Sequence, residues 1–165
     1  MKAKIKLIRV DNRLVHGQTG MSWTSSLDVD TIVVVDDEVV HSIFPQKLMA
    51  NIAKAANVHI RFYSVDDFMN AINNESTQKL FIVVKTIQVA RSLAEKGLVQ
   101  QKLNIGNIHY EKGRLPFHKK MYLTQQDVDD LNYLNEMGYT IFYQDVPGTV
   151  SEKIDYIDYN DLKRK

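Results

Sequence analysis

Residue types suited to phosphate chemistry occur together near the start of the chain, in the segment 9–18, which reads RVDNRLVHGQ. The imidazole of His16 is nucleophilic and titrates near neutral pH. The guanidinium of Arg13 can hold phosphoryl oxygens in a fork, and the carboxylate of Asp11 can fix which imidazole nitrogen is free. This set at this spacing favours a histidine that carries a phosphoryl group.

The neighbouring residues extend the same candidate site. Backbone N–H groups around Gly17 and Gln18 would bind an anion if a helix begins there. Arg9 is either a second phosphate ligand or an outward-facing strand residue. Asp11 also has more than one interpretation, because it can orient His16, brace Arg13 or cap a turn.

Short β-branched runs alternate with helical patterns along the chain, and the continuous apolar run 31–35 is typical of a buried parallel strand. This alternation indicates an α/β fold, an open, twisted and mostly parallel sheet of about six to seven strands with helices on both faces, in a single domain over residues 1–165. Strands are predicted at 5–10, 31–35, 58–63, 80–84, 103–105 and 139–143, and helices at 18–27, 39–56, 65–72, 87–96 and from 124 to just before 138.

Ligands of such sheets bind beyond the carboxyl ends of the strands, so the loops that follow the strands at 5–10, 31–35, 80–84 and 103–105 should share one edge. Four further candidate residues, which could line the site, fall in these loops. Asp36 and Asp37 can position the arginine, although helix capping is expected for at least one of them, with Asp37 favoured. Lys85 is a basic residue at a strand end. His109 either faces the site or bonds a backbone carbonyl.

The segment 9–18 resembles the signature R-[IV]-D-[DN]-R-L-[IV]-H-G-Q of the IIB components of the mannose/fructose/sorbose family of sugar phosphotransferase systems (PTS), in which a tryptophan follows, here Trp23. The ordered matches span about residues 4 to 148, whereas H-G-Q alone would be a weak signal. They continue at 33–39 (VVVDDEV), 104–110 (NIGNIHY), 124–127 (TQQD) and 144–147 (QDVP).

The resemblance implies a phosphocarrier enzyme. In this interpretation His16 accepts a phosphoryl group from a phosphohistidine of the IIA component and passes it to a sugar bound by the membrane components IIC and IID, and no cofactor is implied. Mannose, glucose, fructose, sorbose, N-acetylgalactosamine and galactosamine are all open as the sugar, with N-acetylgalactosamine favoured. The alternative is a non-catalytic phosphate-binding or phosphorylation-dependent regulatory module on the same fold.

Composition excludes several other classes of protein. The 165 residues carry a net charge of +1, which gives no electrostatic signature for nucleic acid. Cysteine is absent and the histidines lack metal-ligand spacing, so neither disulfides nor a metal site is predicted. No signal peptide or membrane-spanning run is apparent, so we expect a cytoplasmic protein that associates peripherally with its membrane partners. A homo-oligomer is left open.

Overall fold

Nine strands and six helices follow one another along residues 2–165, the part of the chain that the computed structural model describes. The strands are β1 (Lys4–Asp11), β2 (Thr31–Val35), β3 (His59–Tyr63), β4 (Lys79–Val84), β5 (Lys102–Asn107), β6 (Leu115–His118), β7 (Met121–Leu123), β8 (Thr140–Tyr143) and β9 (Glu152–Lys153). The helices are α1 (Gly17–Leu27), α2 (Ile43–Ala55), α3 (Val65–Ala71), α4 (Ile87–Glu95), α5 (Gln125–Glu136) and α6 (Tyr159–Lys163).

Seven of these strands form one sheet in the order β3-β2-β4-β1-β5-β8-β9. All neighbouring pairs are parallel except β8 and β9, which are antiparallel. The remaining strands, β6 and β7, pair as a small antiparallel hairpin. The predicted α/β fold, with its mostly parallel sheet, is therefore confirmed.

Alternate side chains of the central strands enter two separate hydrophobic cores, as the two-residue period of a strand requires. In β1, Ile8 and Val10 enter one core, whereas Leu7 enters the other. The first core is completed by α3, α4 and α5 and the second by α1 and α2. Helices thus cover both faces of the sheet, which explains why β2 and β4 are buried and apolar along almost their whole length.

The order of the strands places β1 at the point where the winding of the sheet reverses. After β1 the chain builds β2, β3 and β4 on one side of it, and then continues through β5 and β8 on the other side. Sheets of this kind bind ligands at the carboxyl end of the strand where the order reverses. The segment 9–18 leaves β1 at that end.

The structure differs from the predicted elements in three places. The single helix predicted at 39–56 is divided into a 3-10 turn, Val39–His41, and α2, with Ser42 between them. Pro45 lies in the first turn of α2, where its missing N–H costs nothing. The hairpin of β6 and β7 was not predicted, and the C-terminal segment forms β9 and α6.

None of the helices within residues 2–165 is long and apolar enough to cross a membrane. The longest, α2, has 13 residues, which is well short of the roughly 20 that a bilayer requires.

Candidate active site

A five-residue loop connects β1, which ends at Asp11, to α1, which begins at Gly17. Two residues here have left-handed backbones, Leu14 within the loop with φ 58° and Gly17 at the start of α1 with φ 45°. Glycine adopts this conformation freely, whereas a leucine pays roughly 1–3 kcal/mol for it. The side chain of Leu14 is buried in the core beneath α1 and α2, and this burial offsets the cost. The loop is therefore held in a defined shape.

His16 is the N-cap residue of α1 and has an extended backbone. The Nδ1 atom of its half-buried ring lies 3.2 Å from the carbonyl oxygen of Leu14. Because a carbonyl only accepts hydrogen bonds, Nδ1 is the donor in this contact, and in the neutral form of the ring Nε2 then carries the lone pair. The first N–H groups of α1 have no partner within the helix, and no acidic residue lies in its first turn. An anion beside His16 would meet these donors.

An open cleft of about 600 Å³ lies in front of this loop. Arg13, His16 and Gly17 line the cleft, together with Lys85, the residue that follows β4. Both basic residues are exposed. The cleft therefore combines a nucleophilic imidazole with two cations. Its apolar wall consists of Val39 and of α2 residues Pro45, Leu48, Met49 and Ile52.

Asp11 is completely buried, and among residues 2–165 its carboxylate is bonded to Arg9 and Arg13 and not to His16. Its Oδ1 atom accepts the backbone N–H of Arg13 at 2.9 Å, and its Oδ2 atom lies 3.1 Å from a terminal nitrogen of Arg9. The sequence left three interpretations open for Asp11. The structure shows that its carboxylate caps the turn, because it accepts the N–H two residues further on. The interpretation in which it orients the imidazole is wrong in this structure, because the Leu14 carbonyl takes that place.

Arg9 lies beneath the loop and not in the cleft. Its exposed fraction is only 2%, and its guanidinium is also 5.4 Å from the centre of the Trp23 ring. Burial lowers the pKa of Arg9, while the nearby carboxylate of Asp11 opposes this shift. Neither predicted alternative, phosphate ligand or outward-facing strand residue, fits this position, because the side chain is enclosed and already paired.

The two aspartates after β2 both cap other segments. Asp36 accepts the backbone N–H groups of Glu38 and Val39 at 3.3 and 3.0 Å, at the start of the 3-10 turn. Asp37 accepts the N–H of Val65 at 2.9 Å, at the start of α3. Neither carboxylate forms an ion pair with Arg13 among the described residues, so the expectation that one of them positions this arginine is not met.

Asn12 connects three loops at the edge of the sheet, a role that sequence reasoning missed. Its Nδ2 atom donates to the carbonyl of Lys85 at 2.8 Å, and its Oδ1 atom accepts the backbone N–H of His109 at 2.8 Å. Its own N–H donates to the carbonyl of Asn107 at 2.9 Å. Three of the four loops predicted to share one edge, those after β1, β4 and β5, therefore do meet there. The ring of His109 is exposed and does not line the cleft that contains His16.

Residues 2–165 contain no group of histidine, cysteine, aspartate and glutamate side chains arranged to hold a metal ion. What the described residues bring together is an imidazole, two cations and open backbone donors at a helix start. This arrangement suits the binding of a phosphoryl group and its transfer through a ring nitrogen.

A comparison with protein families gives this geometry a context. The sequence profile described as "PTS system sorbose subfamily IIB component" matches residues 5–165. The chain belongs to this IIB family. It therefore has a sugar phosphotransferase role, and components of this family work with IIA components and with membrane IIC and IID components.

Individual relatives agree with the family assignment. The N-acetylgalactosamine-specific phosphotransferase enzyme IIB component 1 of Escherichia coli K12 is 40% identical over 151 residues, which cover 91% of this chain and 96% of that protein. The crystal structure of that IIB component from Escherichia coli matches with a TM-score of 0.89 at 39% identity, over 92% of this chain and 99% of the other. An N-acetylgalactosamine IIB component from Streptococcus pyogenes matches with a TM-score of 0.85 at 29% identity, over 96% and 99% of the two chains.

Proposed function

We propose that His16 accepts a phosphoryl group from a phosphohistidine of the IIA component and passes it to a sugar held by the IIC and IID membrane components. The observation that carries this proposal is the position of His16 as N-cap of α1, in one cleft with Arg13 and Lys85. An imidazole in this position meets an anionic substrate together with two cations of the same cleft and with free N–H groups at the helix start.

The transfer needs positioning and charge stabilisation more than it needs further covalent chemistry. The lone pair of a His16 ring nitrogen forms a bond to phosphorus while the N–P bond of the donor breaks, and the electron pair of that bond returns to the donor nitrogen. Arg13 and Lys85 line the cleft. In this proposal Arg13 holds two equatorial oxygens in its fork, and Lys85 supplies a second positive charge. The backbone donors of Gly17 and Gln18 complete the anion site.

The hydrogen bond from Nδ1 to the Leu14 carbonyl makes the choice of ring nitrogen measurable. Phosphorylation on Nε2 would keep this bond. Phosphorylation on Nδ1 would require the ring to leave the carbonyl and the proton to move to Nε2. NMR of the phosphorylated chain distinguishes these two forms, because the coupling of phosphorus to the ring differs between them.

The sugar and the place of action are part of the same proposal. The relatives named for N-acetylgalactosamine favour N-acetylgalactosamine or galactosamine as the acceptor. We propose that the chain works at the cytoplasmic face of the membrane, beside IIC and IID.

The decisive experiment is incubation with purified phospho-IIA in the presence of chelator, followed by mass spectrometry. We expect one acid-labile phosphoryl group on the wild type and on His109→Ala, and none on His16→Ala. All three proteins should fold equally well, because His16 contributes no core packing. A phosphoryl group that remains on His16→Ala would contradict the assignment.

The acceptor is tested separately with membranes that contain the cognate IIC and IID. N-acetylgalactosamine should discharge the phosphorylated chain faster than mannose or sorbose does. A phosphorylated chain that no sugar discharges would support the regulatory alternative.

A further inference from the structure

Two segments that lie far apart in the sequence, β1 and β5, touch beneath the candidate site. The guanidinium of Arg9, in β1, rests directly on Gly106, in β5: a Cβ atom built at Gly106 would lie 2.1 Å from Cζ of Arg9 and 2.3 Å from each of its terminal nitrogens. Gly106 does not have a left-handed backbone. Glycine is therefore required here for space and not for its conformation.

The guanidinium of Arg9 forms hydrogen bonds that connect the carboxyl ends of three strands. One terminal nitrogen donates to the side chain of Asn104, in β5, at 2.6 Å and to the carbonyl of Gln144, after β8, at 3.2 Å. The other donates to Asp11, at the end of β1, at 3.1 Å. The amide of Asn104 donates to the same Gln144 carbonyl at 3.1 Å, which closes the network.

A continuous set of hydrogen bonds leads from this network to the histidine. Asp11 accepts the backbone N–H of Arg13 through its carboxylate and that of Leu14 through its carbonyl, each at 2.9 Å. The carbonyl of Leu14 in turn accepts from Nδ1 of His16. The shape of the loop therefore depends on Asp11, and the position of Asp11 depends on Arg9.

We infer that Arg9, seated on Gly106, is a positioning residue for phosphoryl transfer: it fixes the loop that presents Arg13 and His16 and does not touch the phosphoryl group itself. The inference rests on the proposed function of His16. Small misplacements of groups in a transfer site cost up to about 100-fold in rate. Loss of the packing of Arg9 on Gly106 should therefore slow the transfer step while leaving unchanged the outer surface that meets the donor.

The test is single-turnover transfer from phospho-IIA at several donor concentrations, with wild type, Gly106→Ala, Arg9→Met and Arg9→Lys. We expect Gly106→Ala and Arg9→Met to lower the limiting rate roughly 10- to 100-fold, with the half-saturating donor concentration unchanged. Arg9→Lys keeps the charge beside Asp11 but has fewer donors, so it should recover part of the rate.

A double variant separates this mechanism from general damage. With methionine in place of the guanidinium, a flexible side chain can move away from the added methyl group. Gly106→Ala/Arg9→Met should therefore be no slower than Arg9→Met alone. Trp23 is the only tryptophan in the chain and lies over Arg9, so its fluorescence should change when Gly106→Ala displaces the guanidinium. Arg91→Met is the matched control. Arg91, in α4, is partly exposed and pairs with the buried Asp130, in α5, so this variant also removes an arginine from a buried aspartate and should transfer at the wild-type rate.

Several outcomes would overturn the inference. A wild-type limiting rate in Gly106→Ala or Arg9→Met would do so, as would additive losses in the double variant or an equal loss in Arg91→Met. If Gly106→Ala does not fold, Arg9→Lys and Arg9→Met provide the same rate test without a clash. A wild-type chain that accepts no phosphoryl group would overturn the proposed function and this role together, whereas a normal wild type with unimpaired variants would overturn only the positioning role.

Discussion

Asp11→Asn provides a direct measure of how much stability the buried ion pair beneath the site contributes. The side chains of Arg9 and Asp11 are 3% and 0% exposed, and their charged atoms are 3.1 Å apart. Asparagine has nearly the same shape and can still accept the N–H of Arg13, so the change removes mainly the negative charge. The guanidinium is then left buried and uncompensated, and removing one partner of such a pair typically costs about 3–5 kcal/mol.

This cost corresponds to a large change in thermal stability. For a chain of this size, 1 kcal/mol shifts Tm by about 2–4 °C, so we expect Asp11→Asn to lower Tm by about 6–20 °C. Thermal unfolding followed by circular dichroism at pH 7, together with urea unfolding, measures it. Asp28→Asn is the matched control because Asp28 pairs with Lys79 on the surface, and this change should leave Tm almost unaffected.

The double variant Arg9→Met/Asp11→Leu completes the experiment. Replacing both charges with apolar side chains of similar size removes the uncompensated charge, so part of the lost stability should return, although Asn104, the Gln144 carbonyl and the Arg13 N–H then lose a partner. A loss of less than about 1 kcal/mol in Asp11→Asn would refute the reasoning, since a charge left buried without a partner cannot be that inexpensive.

Two further predictions concern other parts of the molecule. Arg13→Ala should slow transfer from phospho-IIA about 100- to 1,000-fold with little change in Tm, and Arg13→Lys should recover only part of the rate; a wild-type rate in Arg13→Ala would move the role to Lys85. The phenol of Tyr139 is buried and donates to the Leu98 carbonyl, and burial raises its pKa. The pKa of tyrosine in the unfolded chain is about 10. The buried neutral phenol of Tyr139 therefore stabilises the fold fully below about pH 10, and this stabilisation is lost as the pH rises further. Tm should fall less steeply above pH 10 in Tyr139→Phe than in the wild type, and equal slopes would contradict this.

The sheet was predictable because its signal is local. Runs such as 31–35 are apolar without interruption, and the chain alternates them with helical patterns, so the α/β fold follows from neighbouring residues alone. The capping pattern of Thr124 and Asp127 is equally local, and the structure contains the capping box. The hairpin of β6 and β7 was not predicted, because its strands have only four and three residues and include Pro116.

The site was predictable only where its parts are close in sequence. Arg13, His16 and Gly17 lie within one turn of chain, so their meeting in one cleft needed no knowledge of the fold. The partners of Asp11 and Asn12 could not be foreseen in the same way. Whether Arg9 is buried or exposed depends on Gly106 and Gln144, about 100 and 135 positions away, and single-sequence patterns carry no information on such pairs.

The central position of β1 has a consequence for the order in which the molecule opens. Its backbone is paired on both sides, with β4 and with β5, whereas β3 and β9 lie at the edges of the sheet. Local opening in native proteins begins where the backbone is least protected, and amides of doubly paired central strands exchange with solvent only in the rarest, most extensive openings. The amides of β1 should therefore be among the slowest to take up deuterium. The loop that carries His16 follows β1, the strand expected to open last. Fraying of β3 or β9 at the edges of the sheet therefore leaves the base of this loop intact.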